Sequence, residues 1–272
     1  MSDVRPIGVF DSGMGGMTVL RALRAKLPHE NLLYLGDTAR LPYGTKSAAT
    51  VTTYAEQATG ALVARGVKMV VVACNTASSV ALGALTLALA PTPVIGVVEP
   101  GAGAACALSS TGHIAVIATE GTVRGQAYVR AIHAIRPDVK ISQIACSLFV
   151  TLAEEGWTDG AVLEAAAHRY LDPVFLAESP PPDTLLLGCT HFPVLAPALG
   201  ILLGPQTRLV DSAETTAIAV AAELNKRGIA NTDSARGQVN FMVTDSPERF
   251  VRVGPIFFGA PVPAESVETV DI

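Results

Sequence analysis

Short, wholly apolar runs alternate with longer segments whose apolar positions recur every three or four residues, and this alternation continues along almost the whole chain. Runs rich in Val, Ile and Leu and apolar on both faces predict the strands of a parallel sheet, and the helical spacing between them predicts crossover helices. The first unit has a strand at Ile7 to Phe10, a break at DSGMGG (Asp11 to Gly16), and a helix carrying Val19, Leu20, Leu23 and Leu27 that Pro28 ends. Leu32 to Leu35 predicts a second strand that leads into GDTARLPYG, followed by a helix from near Lys46 to Arg65, closed by Gly66. Met69 to Ala73 predicts a third strand, ending at Cys74, whose helix runs to near Leu89 before Pro91 and Pro93. Val94 to Val98 reads as one more short strand, with a turn at EPGAG.

From His113 the pattern begins again. HIAVIATEGTVRGQAYVRAI repeats the strand, Thr/Gly turn and helix of the first unit. DTLLLGCTHFPVLAPAL then mirrors KMVVVACNTASSVAL: an apolar run, a cysteine, two polar residues and a helix. An internal repeat of roughly a hundred residues predicts an α/β protein of two pseudo-symmetric lobes, each a mainly parallel sheet flanked by helices. Pro180 to Pro182 forms a stiff connector within the second copy. After RLVD come a helix from Ser212 to Arg227 closed by Gly228, a strand near Val239 to Val243 and a short final helix, a tail able to cross back and complete the first sheet. Ligands of parallel sheets lie at the carboxyl ends of the strands. Cys74 and Cys189 both stand at such ends, so two facing lobes would bring them to opposite walls of one cleft.

Composition narrows the function classes. Half of the 272 residues are hydrophobic and only 16% are charged, the profile of a chain with substantial cores. A net charge of −5 without any Lys/Arg cluster argues against nucleic acid as a partner. No apolar run approaches the roughly 20 residues that span a bilayer, and Met1 to Arg5 is unlike a signal peptide, so no membrane association is expected. Four cysteines, Cys74, Cys106, Cys146 and Cys189, show neither CxxC spacing nor scaffold density, the usage of reduced thiols in a cytoplasm. The expected partner is a small molecule.

Each candidate group has two readings. Cys74 is either a small buried hydrophobe or a thiol whose pKa is lowered between a strand's end and a helix's start. Asp11 and Ser12 end the first strand, where the Asp either serves the chemistry or caps its own loop. DSGMGG does not complete GxGxxG, and no GxxxxGK[ST] occurs, so a nucleotide site is not supported. Tyr43 and Gly44 follow the second strand as a plain turn or as a place where the Gly44 N–H holds a carboxylate. Cys189, Thr190 and His191 put a thiol, a hydroxyl and an imidazole within three residues, too few ligands for a metal site. These three alone would also fit a Cys/His amidohydrolase, which leaves the matching Cys74 unexplained. Glu154, before Gly156, reads as a solvated helix end, and Cys106 and Cys146 read as core. Two thiols on opposite walls fit the inversion of a stereocentre, one removing a proton while the other delivers one to the opposite face.

DSGMGG, LPYG, ACNTAS, VVEPG and LGCTHFP, in this order and over Ile7 to about Gly259, resemble the glutamate racemases within the cofactor-independent aspartate/glutamate racemases. The resemblance implies interconversion of L- and D-glutamate without pyridoxal phosphate or metal, with D-glutamate supplied to bacterial peptidoglycan. It implies a first lobe of residues 1–98 and 208–272, built from both chain ends, with 99–207 inserted as the second. Relatives of this kind are commonly homodimers. By resemblance, Cys74 is the base acting on D-glutamate and Cys189 the base acting on L-glutamate, assisted by Asp11 on one side and by His191 and Glu154 on the other. Substrate binding falls by resemblance to Asp11, Ser12, Tyr43, Gly44, Asn75, Thr76, Thr122, Thr190 and His191. Ser147 and Thr151 depart from the family pattern, which has prolines before the glutamate. The competing readings are a sister racemase for aspartate or a hydantoin, the amidohydrolase, and a non-catalytic amino-acid-binding protein.

Overall fold

The computed structural model describes residues 2–272. In the first lobe β1 (Ile7–Asp11) leads through a glycine-rich loop to α1 (Met17–Lys26), and β2 (Leu32–Gly36) leads to α2 (Ala48–Ala64). Ser47 caps α2 by accepting a hydrogen bond from the Thr50 N–H, a contact worth about 1 kcal/mol in helices generally. β3 (Met69–Val72) follows, then α3 (Asn75–Val80), α4 (Leu82–Ala88) and β4 (Val94–Gly96). All residues of β1, β2 and β3 are buried, as the unbroken apolar runs require of strands covered on both faces.

The second lobe runs from α5 (Val98–Leu108) through β5 (His113–Ala118), α6 (Glu120–Gly125), α7 (Ala127–Ile135), β6 (Lys140–Ala145), α8 (Ser147–Glu154) and α9 (Ala161–Phe175) to β7 (Thr184–Gly188), α10 (Ala196–Leu203) and β8 (Arg208–Asp211). The chain then returns through α11 (Ser212–Arg227), β9 (Val239–Val243), α12 (Pro247–Phe258) and β10 (Val267–Thr269). Two parallel sheets result, one in the order β10-β9-β2-β1-β3-β4 and the other β6-β5-β7-β8. Matching β1 with β5, β2 with β6, β3 with β7 and β4 with β8 makes the second order the same as the last four strands of the first, so the repeat read in the sequence is a repeat of topology.

That equivalence corrects the expected boundary at residue 208. Arg208–Asp211 pairs with β7, with Leu185 opposite Leu209, because it is the counterpart of β4 and closes its own lobe's sheet. The chain leaves the second lobe at the start of α11. EPGAG is likewise not a turn but the opening of α5, since a proline in a helix's first turn forfeits no intrahelical hydrogen bond. The helix expected after Cys74 is two helices that meet at Ala81, and the one expected after β5 is broken at Gln126, whose φ is 54°. The tail does finish the first sheet: β9 pairs with β2, and β10 with β9. One buried cluster joins the lobes, running from Ile7, Val9 and Met69 through Leu20 and Ala217 to Ala115, Leu185 and Phe149.

Candidate active site

Strands of both sheets point their carboxyl ends into a single cleft of about 410 Å³. From the first lobe, Ser12 follows β1, Tyr43 and Gly44 form a short helical turn after β2, and Cys74, Asn75 and Thr76 follow β3. From the second, Glu154 ends α8, while Cys189, Thr190 and His191 follow β7. The sequence-derived residues therefore converge, with two exceptions in detail. Asp11 is fully buried beneath the cleft rather than in its wall, and Thr122 stands behind Thr76.

Asp11 does cap its own loop, accepting the Gly13 N–H at 3.0 Å, and Thr190 Oγ1 donates to its other oxygen at 3.5 Å from across the cleft. The loop-capping reading of that residue therefore holds, and its second oxygen is turned toward the other lobe. Burial pushes the Asp11 carboxyl up, against the pull of His191 and backbone N–H groups of the loop. The Cys74 thiol is buried and donates to Ser12 Oγ at 3.5 Å. The strand-to-helix position was expected to lower its pKa; instead burial, reinforced by the charge of Asp11, pushes it up to about 12 despite contacts from Ser12 and the Ala77 N–H. Desolvation outweighs two hydrogen bonds here, so Cys74 rests as a thiol.

Cys189 has different company. Its sulfur lies 3.8 Å from His191 Nδ1, and His191 Nε2 lies 3.0 Å from Glu154 Oε1. Arg249 on α12 donates to Glu154 Oε2 at 2.9 Å, bringing a first-lobe cation to a second-lobe carboxylate. Glu154 is therefore no solvated helix end. Burial alone would raise its pKa, but hydrogen bonds and charge from His191 and Arg249 prevail and lower it to about 2. Burial likewise disfavours charge on His191, yet its bonds to Cys189 and Glu154 outweigh that and raise its pKa to about 10. An imidazolium thus stands beside one sulfur, while the other is held as a neutral thiol.

The remaining wall is made of hydroxyls and an amide. Thr76 Oγ1 lies 3.0 Å from Thr119 Oγ1 and 3.3 Å from Thr122 Oγ1, a cluster that spans the lobes. Asn75 is 2% exposed, and its Nδ2 has no hydrogen-bond partner. A buried N–H left unpaired costs about 1–3 kcal/mol, so this donor is poised for an acceptor in the cleft. Tyr43 is held from behind by the Asp37 carboxylate, which also takes Arg40 and Thr244. Gly15 lets the β1 loop pass close: a Cβ there would lie 2.4 Å from His191 Nδ1 and 2.6 Å from Thr190 Oγ1.

Sequence reasoning missed Thr119, Arg249 and Val150, all of which line the cleft. Thr119 had a signal, because it follows β5 as Ser12 follows β1. Arg249 had none, since nothing around it in the sequence links α12 to the end of α8. Cys106 and Cys146 are buried away from the cleft, as expected. Among the described residues, no group of three or more His, Cys, Asp and Glu side chains is arranged to hold a metal ion.

Comparison with known proteins agrees with this geometry. Residues 17–220 match the family described as Asp/Glu/Hydantoin racemase. A glutamate racemase of Geobacter metallireducens is 49% identical over 255 residues, covering 94% of this chain and 93% of that protein. The crystal structure of glutamate racemase from Francisella tularensis in complex with D-glutamate matches with a TM-score of 0.90 at 34% identity, over 99% of this chain and 98% of that one. The Bacillus anthracis glutamate racemase isoform RacE1 matches with a TM-score of 0.92 at 36% identity, over 98% of each chain. On sequence and architecture together, the chain belongs to the Asp/Glu/Hydantoin racemase family.

Proposed function

We propose that this protein racemises glutamate, interconverting the L and D enantiomers by proton transfer between two thiols and the α carbon. The observation that carries the reading is the pair of cysteines supplied by two copies of one structural unit to a single cleft, in opposite electrostatic settings. Full-length similarity to glutamate racemases supports glutamate as the substrate. Cys189, beside the His191 imidazolium, takes the α-proton of L-glutamate, and Cys74, held as a thiol, protonates the opposite face. For D-glutamate the roles exchange, with Asp11 next to Cys74 and the Glu154–His191 pair next to Cys189 as the assisting groups.

The α-proton is far less acidic than a thiol, so the charge that develops needs fixed donors. Asn75 Nδ2, Thr76, Thr190 and Ser12 provide them around the substrate, with Tyr43 and Gly44 closing one side and Thr122 supporting Thr76. Burial of these groups strengthens each interaction relative to water. The same reading carries with it a cytoplasmic location, homodimeric assembly, and supply of D-glutamate to peptidoglycan synthesis and so to cell shape. Among the described residues, no helix is long and apolar enough to cross a membrane.

Incubating the protein, freed of metal and pyridoxal phosphate, with each enantiomer in D2O tests the proposal. Inversion of optical rotation with deuterium at the α carbon is expected from both sides. No inversion of either enantiomer would refute it.

A further inference from the structure

Tyr128, on α7 of the second lobe, is fully buried and forms no part of the cleft wall. Its hydroxyl donates at 2.6 Å to Oδ1 of Asn75, the first residue of α3 in the other lobe. Among the hydrogen bonds of the described residues, Asn75 Oδ1 is the single acceptor of that phenol proton. An amide has two unlike ends. Turned end for end, Asn75 would take away the 2.6 Å acceptor of the phenol proton, leaving it only the Ser212 hydroxyl that also neighbours it, and would point a carbonyl, not a donor, into the cleft. As it stands, Nδ2 is the free end, buried and without a partner.

The phenol is suited to this task. Burial holds its pKa well above the usual range, so it stays protonated and donating at any working pH. Its ring is gripped independently of the hydroxyl, since Cβ atoms placed at Gly188 and Gly101 would lie 3.0 Å and 3.5 Å from ring carbons. Phenylalanine therefore fits the same space.

We propose that Tyr128 is a positioning residue of the reaction: acting from the second lobe, it fixes the orientation of the Asn75 amide, so that Nδ2 faces a carboxylate of the bound amino acid. This rests on the racemase reading above for the identity of the ligand. Without the phenol the amide divides its time between two orientations, one of which presents an oxygen to an anion. The bond also crosses the cleft's two supporting lobes, so the donor is presented only when the lobes stand in register.

A double-mutant cycle tests this with Tyr128→Phe, Asn75→Ala and the pair, read by the Kd for D-glutamate from calorimetry, by KM and kcat in both directions, and by Tm. Tyr128→Phe is expected to raise Kd and KM about tenfold, the loss of one oriented hydrogen bond to a charged group, with a much smaller change in kcat. In the Asn75→Ala background the same change is expected to add nothing. Unaltered Kd in Tyr128→Phe, or full additivity of the two substitutions, would overturn the assignment. The binding cycle stays readable without turnover: a wild type that binds glutamate but inverts neither enantiomer would defeat the racemase reading, not this one.

Discussion

Cys74 and Cys189 are the same side chain in two surroundings, one against Ser12 above the buried Asp11 and the other against His191, and on the proposed reading the surroundings set what each does first. Serine in place of either thiol removes a general acid or base and is expected to lower kcat/KM by at least about a hundredfold. Mirror-image substrates have equal free energy in water, so the loss must be the same in both directions. Exchange separates the two positions: Cys74→Ala should still wash deuterium into L-glutamate from the Cys189 face with little inversion, which NMR of the recovered amino acid reads. The His191–Glu154 pair predicts a pH signature. His191, raised to about 10, contributes stability that is full below imidazole's ordinary value near 6.5 and is lost as pH rises through about 10. Glu154, lowered to about 2, contributes above about 4.5 and loses its share as pH falls through about 2. Urea unfolding should therefore find the pair's contribution complete between about 4.5 and 6.5, and Glu154→Gln should flatten the alkaline decline. The thiols were legible in the sequence because each follows an apolar run and each echoes the other. The protonation of Cys74 was not legible, since it is decided by desolvation and by Asp11, which only the packed chain brings to bear on it.

Elements explain why the reading of order succeeded and the reading of boundaries did not. A wholly apolar run announces a buried parallel strand, and β1, β2, β3, β5 and β7 were all visible in that way. Arg208–Asp211 carries two charged ends and a partly exposed middle, so as an edge strand it showed no such run and its sheet was assigned wrongly. Pro100 misled similarly, because a residue that stops a helix from within also starts one at its first turn. The β1–α1 loop offers a test at this scale. Gly15→Ala places a methyl group inside contact distance of His191 and Thr190, and the misfit should cost about 1–3 kcal/mol of stability. The imidazole is the side able to give way, so kcat/KM should fall by more than unfolding free energy alone would indicate. Equal Tm and equal turnover in the variant would show that the loop does not press on the site.

For the whole molecule, the cleft is assembled from parts that the chain contributes far apart, and Arg249 is the clearest case. Its link to Glu154 joins α12 of one lobe to α8 of the other, with the guanidinium more exposed than the carboxylate. An ion pair of this exposure adds about 1 kcal/mol or less to stability. Arg249→Gln should therefore leave Tm nearly unchanged while lowering kcat/KM several-fold in both directions, by freeing the carboxylate that orients His191. Steady-state assays beside a melting curve decide it. The return of the chain after β8 has a further consequence. The second lobe is joined to the first by two crossings, one entering between β4 and α5 and one leaving between β8 and α11. A body hung on two pins swings about the line between them and resists twisting, whereas a single tether permits both. Two connections of this kind would favour opening and shutting of the cleft over sliding of one lobe past the other. On the two-thiol reading, inversion needs donor and acceptor on a common line through the carbon, an alignment that two connections rather than one would help to keep.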